Sequence, residues 1–201
     1  MVDLFRFAGI IYEFLLENKW VLWGHQVFPL GVIRNLLYPL QTLQILHFYS
    51  KAQKDGKKYW MLFWLTAFVL WLPNSLYLFL EIKHVLFVDN IIDDGDPVGI
   101  LFFIGLSIFG LVITVYTIKK AVETIDILKR NKVGSIFVLS MLSGFGAMLG
   151  IQDVLTEEVF FNLSKVLGST VGLVTSPQWA FYALVLGVFT ALICLGSRKI
   201  F

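Results

Sequence analysis

Tyr59-Trp60-Met61-Leu62-Phe63-Trp64-Leu65-Thr66-Ala67-Phe68-Val69-Leu70-Trp71-Leu72-Pro73-Asn74-Ser75-Leu76-Tyr77-Leu78-Phe79-Leu80 carries no charged side chain. A helix rises about 1.5 Å per residue, so this run covers the roughly 30 Å hydrocarbon core of a bilayer. Lys57 and Lys58 precede it, and Glu81 and Lys83 follow. Pro73 has no N–H, so the reading predicts a kinked or restarted helix, with a carbonyl one turn earlier deprived of its partner. Asn74, Tyr77, Glu81 and His84 then recur at spacings of three, four and three. On an α-helix they share a face within about 80° of arc, running from mid-membrane to the surface.

Three other stretches are equally free of charge: Pro97–Ile118, Gly134–Ile151 and Gln178–Gly196. Val27–Tyr49 is long enough to cross but contains Arg34, Asn35, Gln41, Gln44 and His47. Facing lipid would be costly for these, so they are expected to face other helices. At the amino end, Asp3, Arg6, Glu13 and Glu17 fall within about 80° of arc, which predicts an amphipathic helix. It either crosses with its polar stripe inward or lies in the interface. The same charges argue against a cleavable signal peptide. Beyond the last loop, Leu155, Val159, Phe160, Leu163, Val166 and Leu167 share a face, with Thr156 as N-cap. Of the 201 residues, 58% are hydrophobic and 15% charged, too apolar for one water-facing core. The expected fold is therefore all-α: a polytopic transmembrane helical bundle of six helices, or five spans if the first is interfacial. A short amphipathic helix near 153–167 completes it, in one integral membrane domain over 1–201.

Charge sets the expected orientation. Lys51, Lys54, Lys57, Lys58, Lys119, Lys120, Lys129, Arg130, Lys132, Arg198 and Lys199 fall on one side if the spans alternate, against Lys83 and Lys165 on the other. The positive-inside rule places 51–58, 119–132 and the carboxyl end in the cytoplasm of a cell membrane, with loops 82–96 and 152–176 extracytoplasmic. A net charge of +2 gives no electrostatic footprint for nucleic acid. The expected partners are the lipid bilayer and a second copy or another membrane protein. Cys194, the single cysteine, reads as a small hydrophobe. No cofactor is assigned.

Ser140, Ser143, Gly144, Gly146, Ala147 and Gly150 form small-xxx-small pairs, which let helices approach closely. The same stripe also fits a backbone-lined substrate path or a docking face. Arg34 and Glu81 lie at matching depths of neighbouring antiparallel helices and are expected to pair, with Tyr38, Gln41 and Gln44 continuing a polar seam. Arg34, Asn74, Tyr77, Glu81 and His84 make up the candidate ligand site. A carboxylate and an imidazole at i and i+3 can also share a metal, so Glu81 and His84 form a two-ligand metal candidate. Asp89, Asp93, Asp94 and Asp96 could add oxygens, although their spacing is not that of an EF-hand. On the plainer reading, Glu81 and His84 are interfacial residues and the aspartates a solvated loop. No catalytic residue is assigned, because no serine or cysteine nucleophile with a matched base, phosphate loop or zinc-protease motif is present. The reading is a non-enzymatic bundle, transporter-like or accessory. The alternative is an intramembrane metal-binding protein or enzyme centred on Glu81 and His84.

Two places carry a family resemblance. Leu72-Pro73-Asn74, Tyr77, Glu81 and His84 form one; Leu142-Ser143-Gly144-Phe145-Gly146 with Leu149-Gly150 form the other. In both the chain resembles the bacterial predicted membrane proteins called domain of unknown function family 1361. Those proteins show Leu-Pro-Asn, Tyr, Asp, His and Leu-Ser-Gly-Phe-Gly, Leu-Gly in the same order. The resemblance implies fold and topology; the family has no established activity. Where its members continue with an arginine-rich and Trp-Asn-Ser-Trp-Asp stretch, this chain reads Ile151-Gln152-Asp153-Val154-Leu155-Thr156-Glu157-Glu158.

Overall fold

The computed structural model describes residues 20–22, 25–27, 29–82, 97–151 and 163–197. The amphipathic segment expected at the amino end, the loop aspartates and His84 lie outside them. Two short antiparallel strands come first, β1 (Trp20–Leu22) and β2 (His25–Val27), with Trp20 opposite Val27 and Leu22 opposite His25. The sequence reading placed no element there. Everything after them in the described chain is helix and connecting turn, as expected of a helical bundle.

Helix α1 (Pro29–Lys54) runs through Pro39 and ends five residues beyond the expected Tyr49. Its stop is chemical. Gly56 takes φ +68°, which costs glycine nothing. The Lys57 N–H then reaches Ala52 O at 2.9 Å and the Gly56 N–H reaches Gln53 O at 3.1 Å, a Schellman closure. This tight turn folds α2 (Lys58–Tyr77) back along α1. Helix α2 passes through Pro73 without restarting and tightens into a 3-10 turn only at Leu78–Glu81.

Helix α3 (Pro97–Thr124) follows, then buried Ile125 in an extended conformation, and the single turn α4 (Asp126–Lys129). Helix α5 (Lys132–Ile151) begins at Asn131, whose side-chain Oδ1 accepts the Gly134 N–H at 3.0 Å in an N-cap. Helices α6 (Leu163–Thr175) and α7 (Pro177–Gly196) close the described chain. Of the amphipathic helix expected near 153–167, residues 163–167 lie in α6, which runs on to Thr175; residues 152–162 lie outside the described set. Gly168, Ser169, Thr170 and Gly172 read as loop, but Val166, Val171 and Leu173 carry the helix on. Pro177 stops it by holding Ser176 extended, at φ −88° and ψ 111°.

Among the described residues, four helices are long and apolar enough to cross a membrane: Lys58–Leu80, Ile100–Thr124, Lys132–Ile151 and Pro177–Gly196. Each overlaps one of the four uncharged runs of the sequence, and the protein is a multi-pass membrane protein. Helix α5 sits between α2 and α7, and α1 packs on α2. Phe68, Leu72, Ile118, Ala121, Ala191 and Cys194 fill the shared core. Four hydroxyls inside the bundle find acceptors on their own helices. Ser107, Thr114, Ser143 and Thr190 each donate to the carbonyl four residues earlier, at 2.7–2.9 Å.

The basic loops meet at one end. Gln53 and Lys129 both donate to the Asp126 carboxylate, tying α1 to α4. The Lys129 hydrogen bond holds the Asp126 carboxyl below its ordinary value, so this exposed tie weakens as pH falls through that lowered value. Lys119 Nζ donates to Ser197 O at 2.6 Å and to Ser197 Oγ at 3.1 Å. A half-buried cation thus sits at the carboxyl end of α7, where the helix dipole favours it. Replacing Lys119 with Met should lower the stability of the purified protein by about 1–2 kcal/mol, since hydrogen bonds to charged groups are the stronger ones. Denaturant titration in detergent reads this, and an unchanged midpoint would contradict the assignment.

Candidate functional site

The two sequence motifs pack against each other. Helix α5 presents Gly146 and Gly150, one turn apart, to Pro73 and Tyr77 of α2, also one turn apart. A Cβ at Gly146 would collide with Pro73 Cβ and Cγ. One at Gly150 would lie 2.6 Å from Tyr77 Cδ2. On the adjoining side of α5, a Cβ at Gly144 would stand 2.5 Å from Ala183 O and 2.8 Å from Gly187 N, so α5 and α7 touch backbone to backbone. Ser140, Ser143 and Ala147 are buried beside these contacts. The small-residue stripe is therefore filled by α2 and α7 of the same chain.

A third glycine serves the same joint from α3. A Cβ at Gly110 would lie 2.6 Å from Phe79 N, against the 3-10 turn. The Pro73–Glu81 segment is thereby clamped from two sides by glycines.

Next to the joint is a cavity of about 300 Å³ between α2, α5 and α6. Val69, Pro73, Leu142, Phe145, Leu149 and Val166 give it apolar walls, and Asn74 and Thr170 its side-chain polar groups. Asn74 is half-buried. Thr170 spends its hydroxyl on Val166 O at 2.7 Å, which leaves Asn74 as the side chain with amide chemistry at the wall. A second, apolar cleft of about 800 Å³ lies beyond the 3-10 turn, between Phe79, Leu80, Met148, Trp179, Tyr182 and Phe189.

The other candidate residues fare differently. Tyr77 closes α2 against Gly150. Arg34 lies on α1 and Glu81 ends the 3-10 turn, both with their side chains outside the described set, as is all of His84. A 3-10 turn advances about 120° per residue instead of 100°, so four such residues rotate the Glu81 backbone about 80° from its place on a continuous α-helix. Among the described residues no group of three His, Cys, Asp or Glu side chains could hold a metal.

A polar seam joins α1 and α2 through Gln41 of the expected members and through Thr42 and Ser75, which the sequence reading missed. Thr42 and Ser75 are fully buried. Ser75 Oγ donates to Thr42 Oγ1 at 3.3 Å, and Thr42 Oγ1 donates to Tyr38 O at 3.0 Å and Trp71 O at 3.3 Å. Trp71 Nε1 donates to Gln41 Oε1 at 3.0 Å. Interhelical hydrogen bonds of this kind help hold helices together where lipid removes the hydrophobic drive. Thr42 adjoins Gln41, and Ser75 adjoins Asn74. Hydroxyls beside flagged amides on facing helices were the available signal. Ala183, Gly187 and Ala191, four apart in α7, were a further small-xxx-small signal that the sequence reading passed over.

A bundle of membrane-crossing helices, joined through glycines at a proline-bearing helix and enclosing a small polar-tipped cavity, defines a class of compact multi-pass membrane protein. The chain belongs to the family described as "Protein of unknown function (DUF1361)", which matches residues 36–194. That match contains both packed motifs. No curated protein and no solved structure matches the chain.

Proposed function

We propose that the protein is a non-enzymatic bundle of the cell membrane, transporter-like or accessory to a larger assembly, that holds a small amphiphile at the Asn74 cavity. The cavity carries this reading. At about 300 Å³ it is at the lower end of ligand-pocket sizes, and it has apolar walls with one amide to orient a guest. The charge bias supports a cytoplasmic carboxyl end and cytoplasmic loops 51–58 and 119–132, with 82–96 and 152–176 outside. In that orientation the site belongs to the extracytoplasmic half. The register of α1 on α2 supports the Arg34–Glu81 pair: Gln41 bonds Trp71 and Thr42 bonds Ser75, which puts Arg34 level with residues 78–83. Arg34, Glu81 and His84 would then lie together toward the outer surface, beyond Asn74 and Tyr77 at the joint.

Native mass spectrometry of protein extracted with its surrounding lipid tests the proposal. A bound small molecule is expected, lost on Val166→Phe, which fills the cavity, and weakened about tenfold by Asn74→Leu, as for one amide hydrogen bond. If both variants keep the native complement of bound molecules, the site is wrong. Elemental analysis of the same sample tests the metal alternative. One metal ion per chain, removed by both Glu81→Ala and His84→Ala, would favour it.

A further inference from the structure

The basic end of the α1–α2 hairpin holds a feature the Asn74 site does not use. Lys51, Lys54, Lys57 and Lys58 cluster around the turn, with Asp55 as the acid among them. Asp55 is paired with Lys57 at 3.2 Å. Lys51 and Lys57 are exposed and, with Asp55, Phe48, Trp60 and Trp64, line a recess of about 220 Å³. Phe48 and Trp64 are also walls of a groove of about 440 Å³ that runs along the outside of the α1–α2 pair. Its other walls include Gln44, Phe63, Ala67 and Leu70. The two spaces therefore adjoin at the Phe48–Trp64 pair: a mouth with two lysines and Asp55 above, an apolar groove below.

The aromatic side chains at the junction form one array. Phe48 and Trp64 have centroids 4.9 Å apart, Phe63 and Trp64 4.9 Å, and Trp60 and Trp64 6.2 Å. Trp60 is 53% exposed and Tyr59 92%, at the first residues of a membrane-crossing helix. Tryptophan and tyrosine take this depth at the headgroup boundary. Gln44 lies two turns below Lys51 on α1, about 10 Å deeper, where its amide can donate to acyl-ester oxygens.

From this arrangement we infer that the groove binds one anionic phospholipid, its phosphate between Lys51 and Lys57 and one acyl chain along Phe48, Phe63, Trp64 and Ala67. Charge complementarity selects the occupant. A zwitterionic lipid would bring a cation back to the lysines, and a soluble phosphate would leave the apolar groove unfilled.

The full chain in nanodiscs tests this through quenching of tryptophan by brominated phosphatidylglycerol or brominated phosphatidylcholine, with Trp60→Phe/Trp64→Phe defining the local signal. Each lysine near the lipid surface contributes on the order of a fivefold preference, so the anionic lipid should be favoured about tenfold or more. Lys51→Gln/Lys57→Gln should abolish the preference, whereas Lys120→Gln/Lys132→Gln, on the same end away from the groove, should keep it. Ala67→Phe should displace the chain and lower quenching with the lysines intact, while the thermal midpoint stays near the native value. Three results would each overturn the inference: equal quenching by the two lipids, equal loss in both lysine pairs, or full competition by millimolar inorganic phosphate.

Discussion

Gly144→Val should cost more than about 3 kcal/mol and leave little folded protein in detergent, because overpacking of this kind exceeds the usual 1–3 kcal/mol when the neighbour cannot yield. Here it cannot. The atoms that a Cβ would meet, Ala183 O and Gly187 N, belong to the backbone of α7. In the reverse direction, a Cβ at Gly187 would meet Met141 Cα at 3.0 Å and Ser140 O at 3.2 Å. Helix α7 would have to move outward as a unit, parting the buried Ala183, Thr190 and Ala191 from α5 and the core. Gly105→Ala makes the contrast. Its Cβ meets nothing within 4 Å, so helix propensity alone acts, and the change should be neutral or stabilising by up to about 1 kcal/mol. Chemical or thermal unfolding in detergent distinguishes the two. A Gly144→Val protein as stable as Gly105→Ala would refute the close crossing.

The second large effect lies at the motif joint. Gly146→Ala should destabilise by about 2 kcal/mol through its collision with the Pro73 ring. Pro73→Gly removes the colliding atoms. It should therefore rescue part of the loss, with a coupling of about 1–2 kcal/mol in the double-mutant cycle. Strict additivity would mean that the two residues do not meet. The two motifs are separated by 57 residues in sequence, and the structure joins them as two halves of one contact.

How much of this was legible in the sequence depended on the kind of signal. An uncharged run long enough to cross a bilayer is read directly, and the four runs became the four crossing helices. The glycine stripe on α5 named its own helix but not its partners, because Gly187 and Pro73 acquire their roles only when the helices are set side by side. Helix α6 runs eight residues past the expected end at 167 because glycine, serine and threonine read as loop, whereas Thr170 and Thr175 each donate to the carbonyl four residues back in their own helix. Pro73 was expected to kink or restart α2. The helix continues through it without restarting, and the tightening comes five residues later, where the 3-10 turn meets Gly110. Asn74 was flagged for its chemistry and does line a cavity. The volume of that cavity was invisible, because it depends on α6 covering the joint. Thr42 and Ser75 show the same limit: each is an ordinary hydroxyl until its partner is opposite.

The account rests on Pro73–Tyr77 of α2 lying directly on Gly146–Gly150 of α5. Tyr77 Cγ is 3.3 Å from where a Cβ at Gly150 would stand, close to the reach of a disulfide. Cysteines at both places, Tyr77→Cys with Gly150→Cys in a Cys194→Ser background, should therefore oxidise within one chain in native membranes and resist alkylation until reduced. If both thiols remain open to alkylation, or link only between chains, the joint does not exist as described.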